Sequence, residues 1–249
     1  MKFNNFFYIG IDDTDNTETR GTGFRARQLA TLLIEKNLAD VLSVSRHQLF
    51  FDPRVPFTSH NSSLCLELKA NDLEELIGVS KNFLLEVAAE GSDVGLCIAR
   101  KENICLEVIE FGKKAKIDLV TQKEAYEIAK KNQLFIEGLT GTKDGVIGAL
   151  AGVGLSFSGN DGRCVWLKGT ELREIKGVMS INELLEQSNI DDVTDENGFS
   201  IPKTDLILLD EWLRPILKNN NKILITEEVK NEKHKWKLKP KDFIKKLSN

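Results

Sequence analysis

Apolar and polar positions along the chain fall into periods that switch between strand-like and helix-like. The stretch Asn5-Phe6-Phe7-Tyr8-Ile9-Gly10-Ile11 is aromatic and β-branched and stops at Asp12, Asp13 and Asp15. It predicts a buried strand that carries three acids at its C-terminal end. From Arg25 to Glu35 the apolar residues Ala26, Leu29, Ala30, Leu32 and Leu33 recur at helical spacing, which predicts an amphipathic helix. Val41 to Phe51 alternates as a second strand, carrying Arg46 and a histidine, His47, expected to be structural. Leu64–Leu68 predicts a strand, Asp72–Ala89 a helix and Val94–Ile98 a strand, and apolar alternation continues from Ile104 to Phe111.

Thr121–Asn132 has Ala125, Ile128 and Ala129 on one helical face, and Phe135–Leu139 follows as a strand. The small residues of Val146–Gly152 predict a helix able to lie close against the first strand. Leu155–Phe157 and Arg163–Leu167 suggest a hairpin around Ser158–Gly162. Polar Asp191–Lys203 suggests a linker, Thr204–Leu217 a strand or helix start followed by a helix, and Lys222–Thr226 a strand. The order of strands and helices is that of an α/β (α+β) chain. Strand, helix and strand from Leu64 onward suit a ferredoxin-like module. The domains expected are 1–60 plus 137–190, built around the first strand, and 61–136 plus 191–249, the ferredoxin-like part.

At 249 residues, 41% hydrophobic and 29% charged, the chain has the composition of an ordinary globular protein with a substantial core. No apolar run approaches the roughly 20 residues of a membrane span, and no targeting segment is evident, so a cytoplasmic protein is expected. Cys65, Cys97, Cys105 and Cys164 lie singly in apolar stretches without CxxC spacing. Buried free thiols are expected, and no zinc. The net charge of −4 hides an asymmetry: residues 218–249 hold ten lysines against four acids, and the preceding 217 residues carry about −10. Lys233, Lys235, Lys237, Lys239 and Lys241 alternate with Trp236 and Leu238 among other residues. That pattern suits a terminal strand pressing its apolar residues inward, its lysines forming a solvated face or a contact for an RNA backbone.

The candidate chemistry lies after the first strand. Two unit charges about 4 Å apart repel by roughly 4 kcal/mol near a protein surface, and three acids fall within four positions here. Mg²⁺ is the cation that suits them, since it bridges one or two carboxylates to substrate phosphates. Gly21-Thr22-Gly23 opens the following helix, where exposed N–H groups favour an anion and Thr22 offers a hydroxyl. Arg20 sits in the same turn. Later, Thr140-Gly141-Thr142-Lys143-Asp144-Gly145 is a glycine loop with one lysine, although not a Walker A sequence, because Asp144 follows Lys143. A nucleotide phosphate chain fits this set. An Asx-type turn for the acids, a helix cap for Thr22 and an exposed surface lysine for Lys143 fit it as well.

Three blocks also resemble a known family. Gly10-Ile11-Asp12-Asp13-Thr14-Asp15 is similar to the opening motif of the archaeal agmatinylcytidine synthetase family, which modifies the anticodon cytidine of an isoleucine tRNA. Pro56-Phe57-Thr58-Ser59-His60-Asn61-Ser62 resembles that family's proline, aromatic, threonine and asparagine segment, and Gly145–Gly154 its glycine and alanine block. The resemblance implies a kinase-like first domain binding ATP with magnesium, supported by a ferredoxin-like domain. Asp12, Asp13 and Asp15 would hold metal and phosphates, and Asn61, Gly145 and Gly148 would line the nucleotide pocket. The chain departs from the family at the threonine pair, one of which becomes phosphorylated: Phe24 and Arg25 stand there, with Thr22 the nearest hydroxyl. Without CxxC there is no zinc ribbon of the usual kind, and tRNA modification by this chain alone is not expected.

The expectation is an ATP- and Mg²⁺-dependent phosphoryl- or nucleotidyl-transferring enzyme with a small-molecule or RNA acceptor. Asp12 and Asp13 would hold the metal, Asp15 would be a further ligand or base, and Arg20 and Lys143 would neutralise the phosphates. Gly21, Thr22, Gly23, Asn61, Gly145 and Gly148 would contact the nucleotide. A nucleotide-binding or RNA-associated module without turnover is the alternative.

Overall fold

The computed structural model describes residues 3–55, 61–230 and 233–247. It divides into two compact units, Met1–Ser158 and Gly159–Asn249. The first contains strands β1 (Asn5–Asp12), β2 (Ala39–Gln48), β3 (Ser62–Ala70), β4 (Gly95–Arg100) and β5 (Phe135–Gly138). Its helices are α1 (Thr22–Glu35), α2 (Leu73–Val87), α3 (Leu106–Ile117), α4 (Gln122–Lys131) and α5 (Gly145–Phe157). The strands lie in the order β5-β4-β1-β3-β2, each neighbouring pair antiparallel.

β1 is central and buried on both faces, which explains its unbroken apolar run. Tyr8 packs with Cys65, Cys97 and Ala99 of the adjoining strands against Val108, Phe111, Ala149, Leu150 and Val153 of α3 and α5. Phe7, Ile9 and Ile11, which point the other way in the strand's two-residue period, are fully buried on the side of α1. Gly10 is the one position of β1 where a side chain is forbidden, because a Cβ would overlap the carbonyl of Ala149. The helix therefore rests directly on the strand's backbone, as the small residues of Val146–Gly152 predict.

Helix ends follow local chemistry. The Asp72 carboxylate accepts from the Glu75 N–H at 3.0 Å and starts α2, and a reciprocal Thr121–Glu124 capping box starts α4. One expectation is corrected here. Leu155–Phe157 continues α5 instead of opening a hairpin, because Leu155 is buried in the core it shares with α3. The two compact units divide between Ser158 and Gly159. β3 and β4 flank β1 on its two sides, so the segment expected to form a separate module builds the carboxylate strand's own sheet.

The second unit contains β6 (Arg163–Leu167), β7 (Gly177–Ser180), α6 (Ile181–Glu186), β8 (Asp192–Thr194), β9 (Leu206–Leu209), β10 (Ile216–Lys218), β11 (Asn221–Glu228), β12 (Trp236–Leu238) and α7 (Lys241–Leu247). Its strands run β6-β10-β11-β12-β9-β7, with β8 parallel to β11. The stretch expected to be a linker thus holds β8, which is anchored by the buried Val193. The helix expected within Thr204–Leu217 is replaced by β9 and β10: Ile207 and Leu209 alternate into the core, and Pro215 stands between the two strands. Trp236 and Leu238 point inward as expected, and the Trp236 indole donates to Asp205 at 2.8 Å.

Three lysines in and beside β12 are ion-paired. Lys237 meets Glu227 at 2.9 Å, Lys239 meets Glu196 at 2.6 Å and Glu227 at 3.0 Å, and Lys235 lies 3.6 Å from Asp205. Cys65, Cys97 and Cys164 are buried free thiols, whereas Cys105, expected to be buried, is exposed beside the Asn132 amide. No helix among the described residues is long and apolar enough to cross a membrane.

Candidate active site at the end of β1

β1 delivers Asp12 at its last position, and Asp13 makes the turn that follows. Asp13 has φ 51°, a left-handed conformation uncommon outside glycine and most accessible to Asp and Asn. Asp12 Oδ1 accepts from the Asp13 N–H at 2.9 Å. The other oxygen, Oδ2, lies over Gly148 in the first turns of α5, where any Cβ would overlap it. Asp13 Oδ2 accepts from the Asp93 N–H at 3.1 Å. Asp12 Oδ2 and Asp13 Oδ1 keep no hydrogen bond among the described residues.

In both carboxyls the charged form is disfavoured. Burial, and then the neighbouring Asp13 charge, push the Asp12 carboxyl up to about 8, with the Asp13 N–H opposing and Asp15 adding to the rise. Asp13 is raised above the ordinary carboxylate range, chiefly by burial; the charges of Asp93, Asp15 and Asp144 add to it and the Asp93 N–H opposes.

Three loops meet around the pair. The Thr14 carbonyl accepts from the Ala89 N–H at 3.1 Å, joining the turn after β1 to the loop before β4. Asp93 then holds the glycine loop: its carbonyl accepts from Gly145 N–H at 2.9 Å, and its carboxylate accepts from the Thr142 N–H. The Thr140 hydroxyl donates to the Ser92 carbonyl at 2.6 Å and accepts from the Val94 N–H at 2.9 Å. Lys143 stands exposed at the tip of that loop with φ 72°. Gly145 is buried, its Cα against the backbone of Asp93 and Gly95, so it serves the close packing of helix and sheet.

Other expected site residues have different work. Gly21 is the N-cap of α1, and Gly21-Thr22-Gly23 opens that helix as predicted. Thr22 is only 6% exposed; its hydroxyl donates to Asp15 Oδ1 at 2.6 Å, and its N–H donates to the same oxygen at 2.9 Å. The hydroxyl also accepts from the Thr14 N–H at 3.2 Å, so it is not presented to a phosphate. Arg20 is exposed, its guanidinium 4.5 Å over the Phe24 ring. The Asn61 amide donates to the Phe50 carbonyl at 2.7 Å and fastens the end of β2. Pro56 to His60, most of the second motif block, lies outside the described residues.

Two residues of β2 sit near this end of the sheet. His47 is fully buried, its Nε2 2.7 Å from the Ser45 hydroxyl, consistent with a structural histidine. Arg46 is partly buried, and its Nε donates to Ser62 Oγ at 2.9 Å. Burial lowers its pKa, while the charge of Asp15 acts the other way. An apolar groove of about 420 Å³ between α1 and α2, lined by Phe24, Arg27, Thr31 and Phe83 among others, contains none of these carboxylates.

Among the described residues no group of three or more His, Cys, Asp or Glu side chains is arranged to hold a metal ion. The expected three-carboxylate set is therefore not formed, because Asp15 is turned onto Thr22. Asp12 and Asp13 alone still fit a hard cation. Each keeps an oxygen without a hydrogen bond among the described residues, the pKa of both carboxyls is raised chiefly by burial and further by neighbouring acids, and Mg²⁺ typically takes one or two protein carboxylates.

No protein-family model and no curated protein matches the chain. Among solved structures it is similar to apo TiaS, an isoleucine-tRNA agmatidine synthetase, at 25% identity and a TM-score of 0.52, over 60% of this chain and 35% of that one. A tRNA fluorescent labeling enzyme gives 25% identity and a TM-score of 0.53, over 60% and 36%. The TiaS complex with its isoleucine tRNA and ATP gives 21% identity and a TM-score of 0.54, over 81% and 50%. The chain spans between 35% and 50% of the length of these proteins. Over the matched residues its α+β fold is that of the agmatidine synthetase TiaS, the same kind of protein that its three sequence blocks resemble.

Proposed function

We propose that this chain is an ATP- and Mg²⁺-dependent enzyme that transfers a phosphoryl or nucleotidyl group within a tRNA-associated process. The observation that carries this reading is the Asp12–Asp13 pair, held at a strand end with one unbonded oxygen each and a destabilised charge. That arrangement costs folding free energy: one oxygen of each carboxylate serves a backbone N–H of the fold, and the other keeps no hydrogen bond among the described residues. The likeness to TiaS structures, one of them solved with tRNA and ATP, supports the choice of nucleotide and of RNA as the associated molecule.

Asp12 and Asp13 would hold the cation. Bound Mg²⁺ would supply charge neutralisation across the phosphate oxygens of the nucleotide. The chain's own groups then divide the remaining tasks. Gly148 leaves room for the Asp12 carboxylate, and Asp93 positions Asp13 against the glycine loop that carries Lys143 toward the phosphates. The acceptor is a small hydroxyl compound or an RNA.

A second reading, a nucleotide-binding module without turnover, is favoured by one observation. Thr22, the nearest hydroxyl to the positions of the family's threonine pair, is buried and committed to Asp15, so a phosphorylated threonine has no ready equivalent. Incubation with ATP and Mg²⁺, followed by chromatography for ADP, AMP and pyrophosphate, separates the two. Turnover lost in Asp13→Ala supports the enzyme; magnesium-dependent ATP binding without turnover supports the module. No binding of ATP at any magnesium concentration would falsify both.

A further inference from the structure

The nucleotide reading requires a positive group close to the carboxylates, and Arg20, which the sequence suggests for the role, is stacked on Phe24 at the surface. The described residues contain another guanidinium at the same end of the sheet. β1 pairs with β3 through Ile11 and Leu64, and β3 pairs with β2 through Leu64 and Arg46. Ile11, Leu64 and Arg46 therefore form one cross-strand row, and cross-strand neighbours share a face of the sheet. The row lies on the face of the sheet turned to α1, where Ile11 is buried, and ends beside the turn that carries Asp15; Asp12, the next residue, faces α5.

The side chain of Arg46 is oriented at one end only. Its Nε donates to Ser62 Oγ at 2.9 Å, which fixes the plane of the guanidinium. Its two terminal nitrogens make no hydrogen bond or ion pair among the described residues. Asp15 is near enough for its charge to act on Arg46, yet Asp15 Oδ1 is taken by both donors of Thr22. Arg46 is partly buried, with a clamped Nε, and its terminal N–H groups remain open to an incoming anion. Arginine's planar fork matches an anionic oxygen pair, and its charge is retained under burial.

We propose that Arg46 binds the phosphate chain of the nucleotide, its terminal N–H groups donating to phosphate oxygens while Ser62 holds Nε. This rests on the nucleotide reading for the identity of the ligand, but not for its chemistry, which is that of a polyphosphate. Arg46 thereby takes the part that the sequence suggests for Arg20.

The test uses two probes, inorganic tripolyphosphate and the ATP analogue AMPCPP, in calorimetric titrations of the full chain with magnesium present. Arg46→Met should bind both about tenfold to a hundredfold more weakly than the parent, the loss expected for hydrogen bonds to a charged group. Arg46→Lys should recover part of that loss, Arg20→Ala should match the parent, and adenosine affinity should be unchanged in all three. Melting temperatures of the variants close to the parent's exclude a folding defect, and Arg46→Gln replaces the methionine variant if that one unfolds. Unchanged tripolyphosphate and AMPCPP affinity in Arg46→Met overturns the proposal while leaving the nucleotide reading in place. Arg46-dependent binding of tripolyphosphate, with no binding of AMPCPP, upholds Arg46 and overturns the nucleotide reading. Binding of neither probe by the parent overturns both.

Discussion

The backbone N–H of Asp93 donates to Asp13 Oδ2 at 3.1 Å across 80 positions of sequence, and the carboxylate of the same Asp93 accepts from the Thr142 N–H. One residue thus joins the turn after β1 to the glycine loop before α5, using its main chain for the first and its side chain for the second. Substitution separates the two. Asp93→Ala keeps the bond to Asp13 and loses the bond to Thr142, so it should loosen the loop and weaken nucleotide binding by a factor of about ten. Asp13→Ala should abolish magnesium-dependent binding. Hydrogen exchange at the Thr142 amide, faster in Asp93→Ala and unchanged in Asp13→Ala, checks the division of labour.

The Asp12 carboxyl sets a pH dependence of stability. Its proton is held in the folded chain up to about pH 8 and is released near the ordinary carboxylate value once the chain unfolds. Between those values the folded state binds more protons, so stability falls as pH rises from about 4 toward 8 and levels off above that. Asp12→Asn cannot ionise and loses this slope. Without divalent cations it should exceed the parent in stability at pH 8.5 by at least about 2 kcal/mol and match it near pH 4. Urea denaturation at the two pH values reads the difference, and equal curves at pH 8.5 would show that Asp12 is solvated.

Glycines of this chain divide by what surrounds them. Gly148→Ala drives a methyl into the Asp12 carboxylate and should cost about 1–3 kcal/mol, the usual range for overpacking, together with nucleotide affinity. Gly78 is exposed within α2, and a Cβ added there would meet no atom within 4 Å. Gly78→Ala should stabilise the fold by about 0.5–1 kcal/mol through helix propensity and leave binding unchanged. Thermal melts and titrations of the two variants make a paired comparison.

The lysines of β12 and its flanks are balanced by acids at short range. Replacing the two more exposed lysines, Lys235 and Lys237, together with the half-buried Lys239 by alanine should change retention on immobilised heparin little, and the Lys235 and Lys237 pairs should each cost at most about 1 kcal/mol. A fall of about three in the slope of log affinity against log salt would instead mark all three as phosphate contacts.

Much of this was legible in the chain and some was not. The carboxylate turn follows from an apolar run that ends abruptly, and the closeness of α5 to β1 follows from the residues that lack bulk. The course of α5 through Leu155 was hidden, because Leu155-Ser156-Phe157 suits a strand as well as a helix until its burial beside α3 is known. The element boundaries hid the domain division too: nothing local in Leu64–Leu68 reveals that it pairs with Ile9 and its neighbours. Asp93 reaches the site through loop packing and carries no local motif. Thr22 shows the opposite error, since a hydroxyl at a glycine turn suggests a ligand donor while in the fold it closes onto an acid seven positions earlier.

The direct rest of α5 on Gly10 has a consequence for altering this protein. Where helix and strand touch main chain to main chain, the spacing beneath the carboxylates is set by atoms that no codon change can trim. New specificity will therefore be found by varying the surrounding loops, such as 16–20 and 140–144, while libraries directed at α5 return mostly unfolded chains.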